Sequence, residues 1–543
     1  MSLSENIASL PKNLLHNLRQ KAASTGVWGW LGFAAFCALG VVVAGMFIYN
    51  VDLHYFWGDD CYISFRYARQ LMLGHGLVWN PGEAVEGYTN FLWVLIMSAG
   101  MVLGIEPEWL SNALGIVSGV AVLGGLMWLS ARWQKGWTPL VLVAPLVLVF
   151  NRSFTGWNTG GLATMFFTML VLFATLRYFV ERQDASRRVW VSALLFAMAS
   201  LTRPEGNIFA FVAGLFFVLD VIRKKRSLRS LLLWSGVYLA FVGGHLLWRR
   251  WYYGFWLPNT FYAKVNGLWW NHAKYYFKIF EGDYHLLWFA PLALIPLIFR
   301  RSMEPWILFA MAAAHLLYVA CVGGDRFEFR FLVFVFPMLY LLLTDGMVMM
   351  GRIPSKRWWL KGAGIAACCA LAATMVYVTH QGSINPKAGG KRGDNAGIQA
   401  IKEYAAMRAE DGRFLKSLID EGLLPKDVQF AVTGAGAVPY YTMWPTLDMH
   451  GLNNVEIGHR KITRRGAIGH EKVASKNFLR KHRIEIWDAA NRMVHRKKGR
   501  SRHCTKDQGC WKAVDVKGRT LKFVTFLNDQ DFARRFTHPK LKF

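Results

Sequence analysis

A long succession of apolar runs constrains this chain more than any other feature. They lie near 28–50, 90–104, 112–131, 138–150, 161–181, 189–203, 206–222, 230–248, 286–299, 304–322, 330–350 and 358–379, with short polar or basic segments between them. A helix of about 17–25 apolar residues crosses the hydrocarbon core of a bilayer. Repeated runs of this kind predict a polytopic helical membrane protein. The 54% hydrophobic content of the 543 residues, with 24 Trp and 38 Phe, exceeds what soluble domains carry. The run 28–50 follows Lys12, Arg19 and Lys21 and is long, late in starting and without a small-residue cleavage site. It reads as a span and not as a cleaved signal.

Basic clusters orient the spans, because cytoplasmic loops collect Lys and Arg. Those at 12–21, 182–188, 223–229, 300–301 and 352–361, taken as cytoplasmic, put 50–90, 203–206, 249–285, 323–329 and everything after 380 outside. Three runs between 90 and 150 conflict with Arg132 and Lys135, so one of them is expected to be short or re-entrant. The helix number is then 11–13. Beyond 380 the apolar runs give way to mixed helix and strand patterns. We therefore expect a membrane domain over 1–380, with its first external loop at 51–89, and an α/β soluble domain over 381–543 large enough for its own core.

The net charge of +29 has two ordinary sources, cytoplasmic loops and a basic soluble region with 32 Lys and Arg against 16 Asp and Glu. The latter suits docking on lipid headgroups or an anionic acceptor. No nucleic-acid-binding signature accompanies the charge, so nucleic acid is not an expected partner. Seven Cys give no metal-ligand spacing. Cys504 and Cys510 would close a short disulfide loop in an oxidising compartment.

The expected topology gathers unusual polar residues on the external face. Asp59 and Asp60 follow the first span; Arg66, Glu86, Tyr88 and Asn90 share their loop; Arg203, Lys264, Asp325 and Arg330 occupy later ones. Ionisable groups near membrane depth are costly and face interior cavities. Carboxylates beside cations suit transfer from a phosphate leaving group. An aspartate takes the acceptor hydroxyl proton, and cations such as Arg66, Arg203, Lys264 and Arg330 stabilise the departing phosphate. Two other readings of Asp59 and Asp60 stay open: caps of a helix over 62–73, or ligands of Ca²⁺ or Mg²⁺ with Glu86 or Asp325. Tyr88 and Trp93 read as interfacial anchors or as sugar-stacking rings. The Arg- and aromatic-rich stretch 248–264 reads as an amphipathic interfacial segment able to grip a lipid chain. In the soluble region, 428–432 followed by Gly434-Ala435-Gly436 predicts a strand entering a tight turn. Asp448 and His450 stabilise a turn or contribute to an acceptor site.

The run DDCYISFRYARQLMLGHGLVWNPGEAVEGYTNFLW at 59–93 resembles the first external loop of GT-C-fold glycosyltransferases, most of all the actinobacterial arabinofuranosyltransferases that add terminal arabinofuranose from decaprenyl phosphate. The resemblance continues through TRPEG at 202–206, YYG at 252–254, LPNTFYAK at 257–264, GGD at 323–325, GAGAVPYY at 434–441 and LDMHGLN at 447–453. It implies a GT-C membrane fold in a bacterial plasma membrane, with its site facing the exterior. It further implies inverting transfer of a sugar, arabinofuranose first, from a polyprenyl-phosphate donor to a glycan, lipid or protein, with an acidic catalytic residue at Asp59 or Asp60. The chain departs from the pattern at TGGLAT, 159–164, where Ala163 stands in place of a glutamate. A lipid-linked-sugar transporter is the alternative from another class. No internal repeat of the kind transporters carry is visible.

Overall fold

The computed structural model describes residues 26–184, 189–265, 267–351, 358–384, 395–462, 466, 469–489, 491–495, 509–536, 538 and 541. Cys504, the whole 12–21 cluster and parts of the 182–188 and 352–361 clusters lie outside them.

The first part is helical. Among the described residues, six helices are long and apolar enough to cross a bilayer: Gly29–Leu53, Pro107–Gln134, Thr164–Gln183, Leu228–Tyr253, Glu304–Val322 and Gly362–Ile384. A seventh span forms if Trp270–Tyr284 and Leu286–Phe299, bent by 72° at the left-handed His285, are taken together. Five more apolar helices have 10–17 residues: Phe91–Val102, Pro139–Val149, Trp190–Thr202, Gly206–Ile222 and Phe336–Gly351. At 1.5 Å per residue a 12-residue helix reaches only about 18 Å. The 11–13 expected from hydropathy therefore counts apolar runs and not full-length spans. Of the three runs between 90 and 150, Phe91–Val102 and Pro139–Val149 are short and flank the 28-residue Pro107–Gln134.

The break at 203–205 has a local cause. Pro204 cannot continue the hydrogen-bond ladder of Trp190–Thr202, and the next helix starts at Gly206. A side chain at Gly206 would collide with the Ser200 backbone, so only glycine lets the two helices meet so closely. The helices enclose one core of buried aromatics and aliphatics, with Trp157, Phe167, Phe196, Phe209 and Phe336 in it.

The C-terminal part begins with a helix, Ile398–Asp420, and a six-stranded sheet follows. Its strands are β1 (Phe430–Val432), β2 (Thr446–Asp448), β3 (Ile486–Trp487), β4 (Val494–His495), β5 (Cys510–Val516) and β6 (Arg519–Thr525). They run in the order β2-β1-β3-β6-β4, and β5 also pairs with β6. The β1 pairings are parallel and those of β6 antiparallel. A second core joins this sheet to the 59–93 loop: Tyr62, Phe65, Trp79 and Trp93 pack in one cluster with Phe430, Tyr440 and Trp444. The loop is thus held between the helical bundle and the sheet.

Candidate functional site

Asp59 and Asp60 are placed by a short backbone bridge. Gly58 N–H donates to the Gly160 carbonyl at 2.9 Å, and Gly160 N–H donates to the Phe56 carbonyl at 2.7 Å. The 159–164 segment, with Ala163 in it, therefore supports the loop through its backbone. Asp60 stands just before the helix Cys61–Met72 with a helical backbone, and neither aspartate caps it through its side chain. The capping reading gives way because both carboxylates have partners elsewhere.

Asp59 is turned toward the C-terminal part and is 8% exposed. Its Oδ1 accepts the Ala437 N–H at 2.9 Å. The Gly434-Ala435-Gly436 turn after β1 makes this approach possible, since a Cβ at Gly436 would overlap the Asp59 carbonyl and carboxylate. Burial raises the Asp59 carboxyl above its ordinary range, with Arg408 and the Ala437 N–H acting the other way.

Asp60 opens toward a cationic group. Arg326 Nη2 donates to its Oδ1 at 3.2 Å, and Lys264, Arg330 and His470 also act on its charge. Burial opposes ionisation there, but the cations outweigh it and hold the carboxyl below its ordinary range. Arg330 is oriented by Asp325, its Nε and Nη2 donating at 2.8 and 3.2 Å. Lys264 ends the helix Asn259–Lys264. The protein crowded around it lowers its ammonium pKa, with Asp60 opposing. His470 lies 2.7 Å from Arg326 through Nε2; burial and then Arg326 push its imidazole down to about 2, so it is neutral. His450 stacks edge-on against His470 at 4.2 Å. Asp60, Lys264, Arg326 and Arg330 together form a site in which one carboxylate can take a proton while three cations hold a phosphate.

Other residues singled out in the sequence stand elsewhere. Arg66 is not free for a phosphate: fully buried over Trp79, it donates to the carbonyls of Trp79, Pro439 and Trp444 and to Asn80 Oδ1, at 2.6–3.0 Å. It ties the loop to the C-terminal part. Arg203 pairs with Glu205 at 2.7 Å and rests on Phe334, as an internal ion pair near Asp325. Glu86 is forked by Arg249 at 2.6 and 3.1 Å. Tyr88 and Trp93 are buried, so neither is an interfacial anchor nor an open stacking ring; Tyr88 bonds Tyr253, and Trp93 donates to the Gly161 carbonyl. Asn90 and Ser64 exchange hydrogen bonds. Asp448 accepts from His450 N–H, Asn453 N–H and Asn453 Nδ2 at 2.9–3.1 Å, which makes it the anchor of its own turn and not an acceptor ligand. Among the described residues no group of three His, Cys, Asp or Glu is arranged to hold a metal ion.

Arg326, His470 and Arg408 were not among the sequence candidates. Arg326 adjoins Asp325 in a polar loop already placed on this face. His470 carried a signal: Ile-Gly-His-x-Lys occurs at 457–461 and again at 468–472. Both copies grip the segment that carries Lys264. His459 packs on Tyr262 at 4.1 Å, and Lys472 Nζ donates to the Tyr262 carbonyl at 2.7 Å.

A bundle of apolar helices, a structured loop after the first span and a small C-terminal sheet domain define a membrane protein of the GT-C fold. ArnT from Cupriavidus metallidurans, solved bound to undecaprenyl phosphate, shares it with a TM-score of 0.51 at 13% identity, over 78% of this chain and 86% of that one. In sequence, the chain is similar to the terminal β-(1→2)-arabinofuranosyltransferase of Corynebacterium glutamicum, 26% identical over 376 residues, 60% of this chain and 53% of that protein. The protein of the same name from Mycobacterium tuberculosis is 27% identical over 261 residues, 44% of this chain and 40% of that protein. The chain thus spans about half the length of the curated relatives it matches. Residues 399–532 match a family model described as a domain of unknown function, DUF8728.

Proposed function

We propose that this chain is an inverting glycosyltransferase that moves a sugar from a polyprenyl-phosphate donor to an extracytoplasmic glycan, lipid or protein, with arabinofuranose as the sugar. The observation that carries the reading is the cluster of Asp60 with Arg326, Lys264 and Arg330 in a GT-C fold. Asp60, kept ionised by its neighbours, takes the acceptor hydroxyl proton as that oxygen attacks the anomeric carbon. The bond from that carbon to the phosphate oxygen breaks, and its electron pair leaves with the phosphate. The three cations stabilise this developing charge. Attack opposite the leaving group inverts the anomeric centre.

The names of the two curated relatives support arabinofuranose, and the lipid in the ArnT structure supports a polyprenyl phosphate. The distribution of positive charge supports a bacterial plasma membrane with the site facing outward. The test is transfer in vitro by purified protein from a panel of polyprenyl-phosphate sugars, with and without Mg²⁺, Ca²⁺ and a chelator. Transfer from the arabinofuranosyl donor, lost in Asp60→Asn, is the expected result. Binding of every donor without turnover would overturn the reading in favour of a transporter.

A further inference from the structure

The helix Ile398–Asp420 brings Arg408 to the rear of the aspartate pair. Arg408 is fully buried and its side chain is nearly all committed: Nη2 donates to Asp488 Oδ2 at 2.7 Å and to the Gly434 carbonyl at 3.1 Å, and Nη1 donates to the Asn491 carbonyl at 2.7 Å. Only Nε has no hydrogen-bond partner, and it too is buried. A buried, unpartnered donor on a guanidinium is costly and needs an explanation. What it faces supplies one. A Cβ on Gly434 would lie 3.5 Å from Arg408 Nε and 3.4 Å from Asp59 Oδ2, and would overlap the Tyr404 hydroxyl. The bare face of Gly434 thus leaves room for the Tyr404 hydroxyl, and brings the Asp59 carboxylate and the Arg408 Nε–H within 3.4 and 3.5 Å of the same point.

We propose that Arg408 is a positioning residue for the aspartate pair: across the bare face of Gly434 its Nε–H and charge hold Asp59 against the Ala437 N–H, which fixes the backbone that turns Asp60 toward Arg326. The C-terminal part would then complete the site from behind, beyond covering it. The groups facing Asp59 are Asp60 and Cys61 beside it, Arg326 from its loop, and Arg408 and Tyr404 from the helix, with Asp488 beyond Arg408. The consequence for transfer rests on the function proposed above; the coupling of Arg408 to Asp59 does not.

Thermal unfolding of the full chain in detergent micelles tests that coupling without substrate. Wild type, Arg408→Gln, Asp59→Asn and the double variant are compared at pH 5 and pH 8. Without Arg408 an ionised Asp59 is a buried, uncompensated charge. At pH 8 the double variant should therefore unfold about 2 °C or more above Arg408→Gln. At pH 5, where Asp59 with its raised pKa takes up a proton more readily, that gain should shrink. An equal loss in Arg408→Gln and in the double variant at both pH values would leave Arg408 as the partner of Asp488 alone and overturn the proposal. Gly434→Ala serves if Arg408→Gln does not fold, since its methyl displaces the Tyr404 hydroxyl and crowds the space between Asp59 and Arg408 while leaving both charges in place. It should lower kcat for transfer while leaving the donor KM unchanged; unaltered kcat would count against the proposal. Failure of wild type to transfer any sugar would refute the assigned activity and leave the unfolding result standing.

Discussion

Asp59 and Asp60 are neighbours in sequence, yet their surroundings push their carboxyls in opposite directions. Asp59 is tucked against a backbone N–H with burial dominant, whereas Asp60 faces three cations that outweigh burial. The difference follows from the direction each side chain takes at the start of the Cys61–Met72 helix, and it is the ground on which the proposed function takes Asp60 as the base. Removing a general base costs about 10²–10⁴-fold in rate, so Asp60→Asn should lower kcat by that range with the fold intact. A matching loss in Asp59→Asn alone would reverse the assignment. The pH dependence has a definite sign. A depressed carboxyl stays ionised as pH falls, so kcat/KM should hold from pH 7 to 5 and decline only below the ordinary aspartate value of about 4. Arg326 acts more strongly on Asp60 than the other cations do, so Arg326→Gln should move that acid limb upward; an unmoved limb would mean another group reports it. The pair was legible in sequence as adjacent carboxylates beside external cations. Their division of labour was not, because it depends on Ala437 and Arg326, distant in the chain.

At the scale of elements, the short helix Ala437–Thr442 is clamped by charges suited to its ends. Asp59 accepts from its first N–H, while Arg66 and Arg69 donate to the Pro439 and Tyr440 carbonyls near its last turn. The tight turn before it was legible from Gly434-Ala435-Gly436. That the turn seats on Asp59 was not, since a glycine permits close approach without naming what approaches. Gly436→Ala places a methyl where the Asp59 carboxylate lies. We expect a loss of about 1–3 kcal/mol, seen as a lower unfolding temperature in micelles, together with reduced transfer. A variant as stable and as active as wild type would show that the turn gives way easily. Arg66 shows the converse limit of sequence reading: its position among external cations pointed to phosphate, and only its four hydrogen bonds reveal a tether.

At the scale of the whole molecule, the apolar runs made the helical bundle legible and the mixed patterns after them a C-terminal sheet domain, because periodicity and hydropathy are local properties. How the two parts join is not local, and Glu328 shows why. Its fully buried carboxylate accepts from Arg152 Nε at 2.7 Å, Ser153 Oγ at 3.3 Å and the Ile398 N–H at 2.6 Å, while its backbone N–H donates to the Ala396 carbonyl at 3.0 Å. One residue therefore links the helix Arg152–Gly156 with the start of the C-terminal part. Arg326 and Arg330 sit two positions to either side of it, so the join also sets the two arginines that act on Asp60. Breaking a buried pair by removing one partner costs about 3–5 kcal/mol. Glu328→Ala should lower the unfolding temperature correspondingly and weaken undecaprenyl phosphate binding about tenfold or more. Glu328→Gln, which keeps an acceptor but not the charge, should fall between. If both variants lose stability but bind the lipid as wild type does, the join supports the fold without orienting the arginines. If neither loses stability, the two parts are held together chiefly by the packing of the 59–93 loop against the sheet.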